Sequence, residues 1–174
     1  YSRMLGGNLV RIDVENARGE NLTNGDLVGT KDGSAYGLVF DPQDENVFYF
    51  SNNDKHCIYK YDLRTKECAC WAGQEGKSGY LDGPIGQAMF NKPGQMCVDS
   101  EGNIILTDTE NHCIRKITMS TGYVSTLAGK PQNSGYVNGS AEDAQFKKPL
   151  GICIDNDDVM YIGDSENRAI RRLA

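Results

Sequence analysis

The 174-residue chain has no apolar run approaching the length of a membrane span, and its first residues lack the basic-then-apolar order of a secretion signal. Positive charge is also scarce. The 18 Lys and Arg stand against 24 Asp and Glu, a net charge of −6 with a pI near 4.9. That balance argues against a surface that grips phosphate over the whole molecule, so nucleic acid is not expected as a partner. There are only two histidines and one tryptophan, and no Cys-x-x-Cys pair, which excludes a structural zinc site of that kind. No nucleophile elbow, phosphate loop or Cys/His pair at catalytic spacing occurs. The residues therefore point to no catalytic group, no metal and no cofactor.

What the chain does have is a repeat. Residues 79–129 recur at a shift of 56: Asp108 falls on Asp164, and backwards on Asn52. His112 falls on Arg168 and His56, and Asn111 on Asn167. Gly79-Tyr80-Leu81-Asp82-Gly83 falls on Gly135-Tyr136-Val137-Asn138-Gly139, with Ala88 on Ala144, Phe90 on Phe146 and Pro93 on Pro149. The register slips in one strand, where Asp41 to Asp99 is 58, so the first copy carries two extra residues within 41–46.

Within one copy the apolar residues come in short bursts with period 2, the pattern of strands rather than helices. The bursts are Met96-Cys97-Val98, Ile104-Ile105-Leu106, 113–117 and 123–127, separated by turn-forming residues. Four short antiparallel strands per repeat make a β-propeller blade. The first two bursts lack polar alternation, as inner strands covered on both faces do. The outer two alternate, with Arg115 and Ser125 between apolar neighbours.

Residues 103–117, 124–129 and 149–155 closely resemble the NHL repeat, named for its Asn-His-Leu signature. The signature reads Asn111-His112-Cys113 in the best copy, Lys55-His56-Cys57 in the first and Asn167-Arg168-Ala169 in the last, and the match runs over about residues 33 to 174. The resemblance implies an all-β fold, a β-propeller of four-stranded antiparallel blades, commonly six in a ring; it does not imply one activity. Residues 1–32 read as the outer strands of a partial blade, with a third strand in 9–13 and part of a fourth in 26–29. Blades follow at 33–73 and 92–129, and an incomplete blade at 147–174. About three blades are fewer than closed propellers have, so the chain is expected to be a piece of a larger ring. The rival expectation is that two copies close one ring, each donating N-terminal strands to the other.

The linkers 74–91 and 130–147 are expected to be ordered loops, since both carry the Gly-Tyr turn and an Ala-x-Phe that tucks against a blade. In propellers such loops share a face with the turns at 52–56, 108–112 and 164–168, and ligands bind on that face over the channel. Asn52, Asp108 and Asp164 end their strands at those turns, where side-chain acceptors bond backbone N–H groups. With Asn111 and Asn167 they read as structural, as do His56 and His112, placed to brace the turn and touch the next blade. The candidate ligand patch is Tyr36, Gln95 and Leu150, at matching or adjoining positions of the inner strands, with Lys92 and Lys148 beside them.

The cysteines follow the repeat. Cys97 matches Cys153 and Cys57 matches Cys113, while Cys68 and Cys70 stand where the next copy has Val124 and Thr126. They read as small buried strand residues with free thiols, leaving open one bridge across a hairpin, from Cys57 to Cys68 or Cys70. Asn21-Leu22-Thr23 and Asn138-Gly139-Ser140 match the glycosylation sequon.

Two functions remain. One is a rigid, non-catalytic binding module, set outside the cytoplasm, whose loop face takes a protein, peptide or glycan. The other is a propeller enzyme, a lyase, lactonase or other hydrolase, with its catalytic or metal site in further blades. Two histidines are too few for the zinc centre of the amidating lyases, whose propeller is similar, and the residues favour the binding module.

Overall fold

The computed structural model of the protein describes residues 10–13, 18–21 and 35–174. Its strands, in order, are β1 (Val10–Asp13), β2 (Arg18–Asn21), β3 (Ala35–Asp41), β4 (Asp44–Asn52), β5 (Cys57–Asp62), β6 (Cys68–Gly73), β7 (Gly83–Pro84), β8 (Pro93–Val98), β9 (Ile104–Asp108), β10 (Cys113–Thr118), β11 (Tyr123–Ala128), β12 (Pro149–Ile154), β13 (Met160–Asp164) and β14 (Ala169–Leu173). They form four antiparallel sheets, β1–β2, β3–β4–β5–β6, β8–β9–β10–β11 with β7 added beside β11, and β12–β13–β14. Successive small meanders of this kind are blades, and the fold is a partial β-propeller. Among the described residues no helix is long and apolar enough to cross a membrane.

Two details differ from the sequence reading. β1 lies in the expected third strand, but its partner β2 comes from a stretch read as turn, and the fourth strand expected at 26–29 is outside the described residues. The linker before the second full blade contributes β7, whose Gly83 and Pro84 pair with Val124 and Tyr123 to make that sheet five-stranded.

The blades pack face to face through repeated apolar layers. Every residue of β9 is buried, because neighbouring blades cover both of its faces. In the first junction Ile58 and Ala72 share a cluster with Ala88 and Phe90 of the linker and with Met96 and Ile104 of the next blade. In the second, Ile114 and Ala128 share a cluster with Ala144, Phe146 and Ile152. Hydroxyls tie the inner strands together. The Ser51 Oγ–H donates to Gly94 O at 2.6 Å and accepts the N–H of Gly37, and Thr107 and Thr109 donate to Leu150 O and Pro149 O at 2.9 and 2.8 Å.

All six cysteines are free thiols, so the bridge left open is not formed, yet only Cys57 and Cys113 are buried. Cys68, Cys70 and Cys97 are half-buried and Cys153 is exposed, because outer strands and an uncovered blade face leave strand positions open.

Each complete blade ends on a glycine with positive φ, Gly73 and Gly129, both at 97°. A Cβ at Gly129 would meet Phe146 Cδ2 at 3.0 Å and His112 O at 3.0 Å, so the site demands both the left-handed backbone and the missing side chain. Gly129→Ala should destabilise the protein by about 1–3 kcal/mol, read by urea denaturation, whereas Gly76→Ala, where no atom lies within 4 Å, bears the backbone cost alone. Equal losses at the two positions would contradict the packing argument.

Candidate functional site

The loop face is held by a buried guanidinium. Arg115, on β10, is fully buried, although alternation along the strand had placed it as an outward polar residue. Its Nη1 donates to Asp108 Oδ2 at 2.7 Å and to Met89 O at 3.1 Å; its Nη2 donates to Asp82 Oδ1 at 2.6 Å and to Leu81 O at 3.0 Å. The guanidinium also lies 4.9 Å from the Tyr80 ring centre and 5.2 Å from that of Phe90, in cation–π geometry. One side chain thus joins the blade to both halves of the preceding linker.

Asp108, at the end of β9, completes the arrangement. Its Oδ1 accepts the N–H of Asn91 in the linker at 2.8 Å, and its Oδ2 also accepts from Asn111 Nδ2, which reaches on to Gly79 O. Burial raises the Asp108 carboxyl to about 6 against the opposing pull of Arg115, Asn111 and the Asn91 N–H. Arg115 Nε and Asn111 Oδ1 are buried without a partner.

The next repeat builds the same clamp. Arg171 donates to Asp164 at 3.0 Å, Gln145 O at 2.9 Å, Val137 O at 2.6 Å and Asn138 Oδ1 at 2.8 Å, with the Tyr136 and Phe146 rings each 5.0 Å away. Asp164 accepts the N–H of Lys147, and Asn167 bridges Asp164 to Gly135 O. The first blade has no charge at these positions. Asn52 stands for the aspartate and Tyr59 for the arginine, and Asn52 Oδ1 accepts the N–H groups of Asp54 and Lys55 in its own turn. Acid and base are lost together there. That joint change was readable from the repeat, and it is the signal for Arg115 and Arg171 that strand alternation hid.

The histidines reach across the junctions. His56 and His112 adopt left-handed backbone, φ 56° and 58°. Their Nδ1 atoms accept the N–H groups of Lys92 at 3.1 Å and Lys148 at 3.2 Å. In the last turn Arg168 has the same backbone, φ 53°, without a side-chain acceptor. Burial, with Lys92 nearby, holds the His56 imidazole below its ordinary range against a weaker pull from Asp54.

The candidate ligand residues sit at one end of the inner strands β3, β8 and β12. Tyr36 is 44% exposed, Gln95 and Lys92 are exposed, and Lys148 and Leu150 are half-buried. Gln95 Oε1 would lie 3.4 Å from a Cβ at Gly151, which places it against the next inner strand. Lys148 is engaged, its Nζ 3.3 Å from Glu110 and 3.1 Å from Glu166. A cleft of about 350 Å³ opens on the opposite face, lined by the turn residues Asp41, Pro42, Glu101 and Gly102 with Lys116 and Ser120, away from all of these. Among the described residues no group of three or more His, Cys, Asp or Glu is gathered as a metal would need.

The NHL repeat family model matches residues 90–117, the span that holds β8, β9 and all but the last residue of β10. Residues 90–117 thus carry an NHL repeat, set in a partial β-propeller. It is 30% identical to NHL repeat-containing protein 2 of Gallus gallus over 149 residues, which is 84% of this chain and 19% of that protein. Among solved structures, a structural genomics protein of Bacteroides thetaiotaomicron superposes with a TM-score of 0.86 at 29% identity, over 96% of this chain and 42% of its own. An auxiliary nutrient binding protein of the same organism gives 0.77 at 29% identity, over 97% and 43%. The chain therefore spans less than half the length of these solved relatives and about a fifth of the curated one.

Removing the Asp108 carboxylate strands a buried guanidinium, so Asp108→Ala should cost about 3–5 kcal/mol in urea denaturation. Asp108→Asn with Arg115→Tyr, the pair of residues found in the first blade, should be less destabilised than the sum of its single variants by about 1 kcal/mol or more. Strict additivity would show that the pair is not coupled. Because the folded His56 pKa is below its unfolded value, the unfolded chain takes the proton first. The stability this histidine contributes is complete above the unfolded pKa and is lost as pH falls through and below it. Relative to His56→Asn, which tolerates the left-handed backbone but does not titrate, the Tm of the wild type should fall on going from pH 7.5 to 5. Parallel profiles would contradict it.

Proposed function

We propose that this segment is part of a non-catalytic binding module whose loop face, around the mouth formed by β3, β8 and β12, takes a protein, peptide or glycan ligand. The observation that carries the reading is a division of labour between repeats. Between the second and third repeats the buried frame is kept, with Asp108 and Asp164, Asn111 and Asn167, Arg115 and Arg171, and Phe90 and Phe146 in the same contacts. The positions at the strand entrances change instead: Tyr36, Gly94 and Leu150 are equivalent, and beside them Gln95 stands where the other copies have Gly37 and Gly151. A fixed frame bearing varied side chains is what recognition without covalent chemistry requires. The likeness to a nutrient binding propeller at 29% identity supports the same class.

Tyr36 brings a broad, part-exposed ring, and Gln95 a paired donor and acceptor, suited to stacking on and hydrogen-bonding an amide or a sugar. A panel of peptides and oligosaccharides titrated by calorimetry tests the reading. Tyr36→Ala and Gln95→Ala should each weaken the best binder by about tenfold or more while leaving Tm unchanged. Unchanged affinity in both variants would sink the assignment, and chemical turnover of the bound molecule would replace the module with an enzyme.

A further inference from the structure

The two arginine clamps differ at one corner. In the second repeat Arg115 Nη2 meets a carboxylate, Asp82 Oδ1 at 2.6 Å, and Asp82 is held in turn by the N–H and the Oγ–H of Thr126, each at 3.2 Å. In the third repeat Arg171 Nη2 meets an amide, Asn138, at 2.8 Å. A guanidinium only donates, so the atom it faces is the amide oxygen, and the NH2 lies on the other side of Cγ. Asn138 is exposed, and among the described residues nothing accepts from its Nδ2 or from the N–H of Gly139. Among those residues it is also the one asparagine followed by glycine; Asn24-Gly25 lies outside them.

We propose that Asn138 is a self-modification site, at which the chain converts its third-repeat amide into the carboxylate that the second repeat carries as Asp82. The reaction is a cyclisation followed by a hydrolysis. The Gly139 nitrogen gives its proton to hydroxide and attacks Asn138 Cγ, while negative charge develops on Oδ1. Nδ2 then takes a proton and leaves as ammonia, closing a five-membered imide between the two residues. Glycine permits the approach because no Cβ stands beside its nitrogen. Water opens the ring in one of two ways. Attack at Cγ breaks the Cγ–N bond and leaves aspartate in an unaltered backbone; attack at the Asn138 backbone carbon breaks the main-chain bond and leaves isoaspartate. One water enters, one ammonia leaves, and nothing is oxidised or reduced.

Arg171 bears on both steps. A cation donating to Oδ1 stabilises the oxyanion of the cyclisation, and by keeping hold of that oxygen it polarises the Cγ carbonyl of the imide. The other imide carbonyl, from the Asn138 backbone, has no donor among the described residues. The folded clamp therefore directs water to Cγ and the product to aspartate, whereas a free Asn-Gly chain opens mainly to isoaspartate. Arg171 already pairs with Asp164 at 3.0 Å, so the product gives it two carboxylates, as Arg115 has in Asp108 and Asp82.

The test incubates the protein in mildly alkaline buffer, native and unfolded in urea, then digests it with pepsin in acid and maps residue 138 by electron-transfer fragmentation, which separates aspartate from isoaspartate. Asn138 should convert in the native chain, with a ratio of aspartate to isoaspartate about threefold or more above that of the unfolded chain. Asn138→Asp should raise the Tm by about 1–3 °C, since it supplies the second carboxylate at an exposed corner. Asn138 left intact in the native chain overturns the proposal, and so does an equal product ratio in the two states. A Tm for Asn138→Asp equal to or below that of the wild type also contradicts it, because the clamp would then gain nothing from the carboxylate.

Discussion

The arrangement depends on a single constraint: a charged arginine is held inside an all-β repeat by groups drawn from three separate segments. Arg115 cannot lose its proton, so its burial is tolerable only if carboxylate, carbonyls and aromatic faces surround it. Asp108 comes from the neighbouring strand, Leu81, Asp82 and Met89 from the linker, and the Tyr80 and Phe90 rings from the same linker. Satisfying the guanidinium therefore fixes the course of a long loop that has little regular structure. Arg171 does the same for the next loop.

Such a cluster is a poor source of net stability, because desolvation of the ions offsets most of their attraction, and two polar atoms of the second blade remain unpartnered. What it supplies is position. The loop enters the junction with Phe90 or Phe146 already aimed at the isoleucine of the preceding blade, and apolar burial then supplies the cohesion. Polar groups set the register and apolar groups hold it. The first blade shows that the charge is dispensable when both partners change, since Asn52 and Tyr59 occupy the same positions and Tyr59 joins an aromatic layer with Phe48, Phe50 and Tyr61.

Much of this was legible in the sequence, and the reasons differ by feature. The strands and blade order were readable because period-2 bursts repeat with their turns, and repetition removes the ambiguity of any single short burst. The roles of the arginines were not legible from alternation, which assigns a side chain to one face without saying whether another segment covers it; only the joint change to Asn52 and Tyr59 in the first copy carried that signal. Exposure of Cys153 and Ile170 was likewise hidden: burial of a strand position depends on the neighbouring blade, which lies in a different part of the chain. Register alone put Tyr36, Gln95 and Leu150 near the starts of inner strands, but the pairing of Lys148 with Glu110 and Glu166 across two turns needed the structure.

The buried arginines tie the linkers to the blades and so hold the loop face in place. Native-state hydrogen exchange at the Asn91 and Lys147 amides tests it most directly, because these two N–H groups donate to Asp108 and Asp164. Both amides should be protected comparably to those of β9, opening only as the blade itself opens. Exchange of both amides at the rate of an unstructured loop, while β9 stays protected, would contradict it.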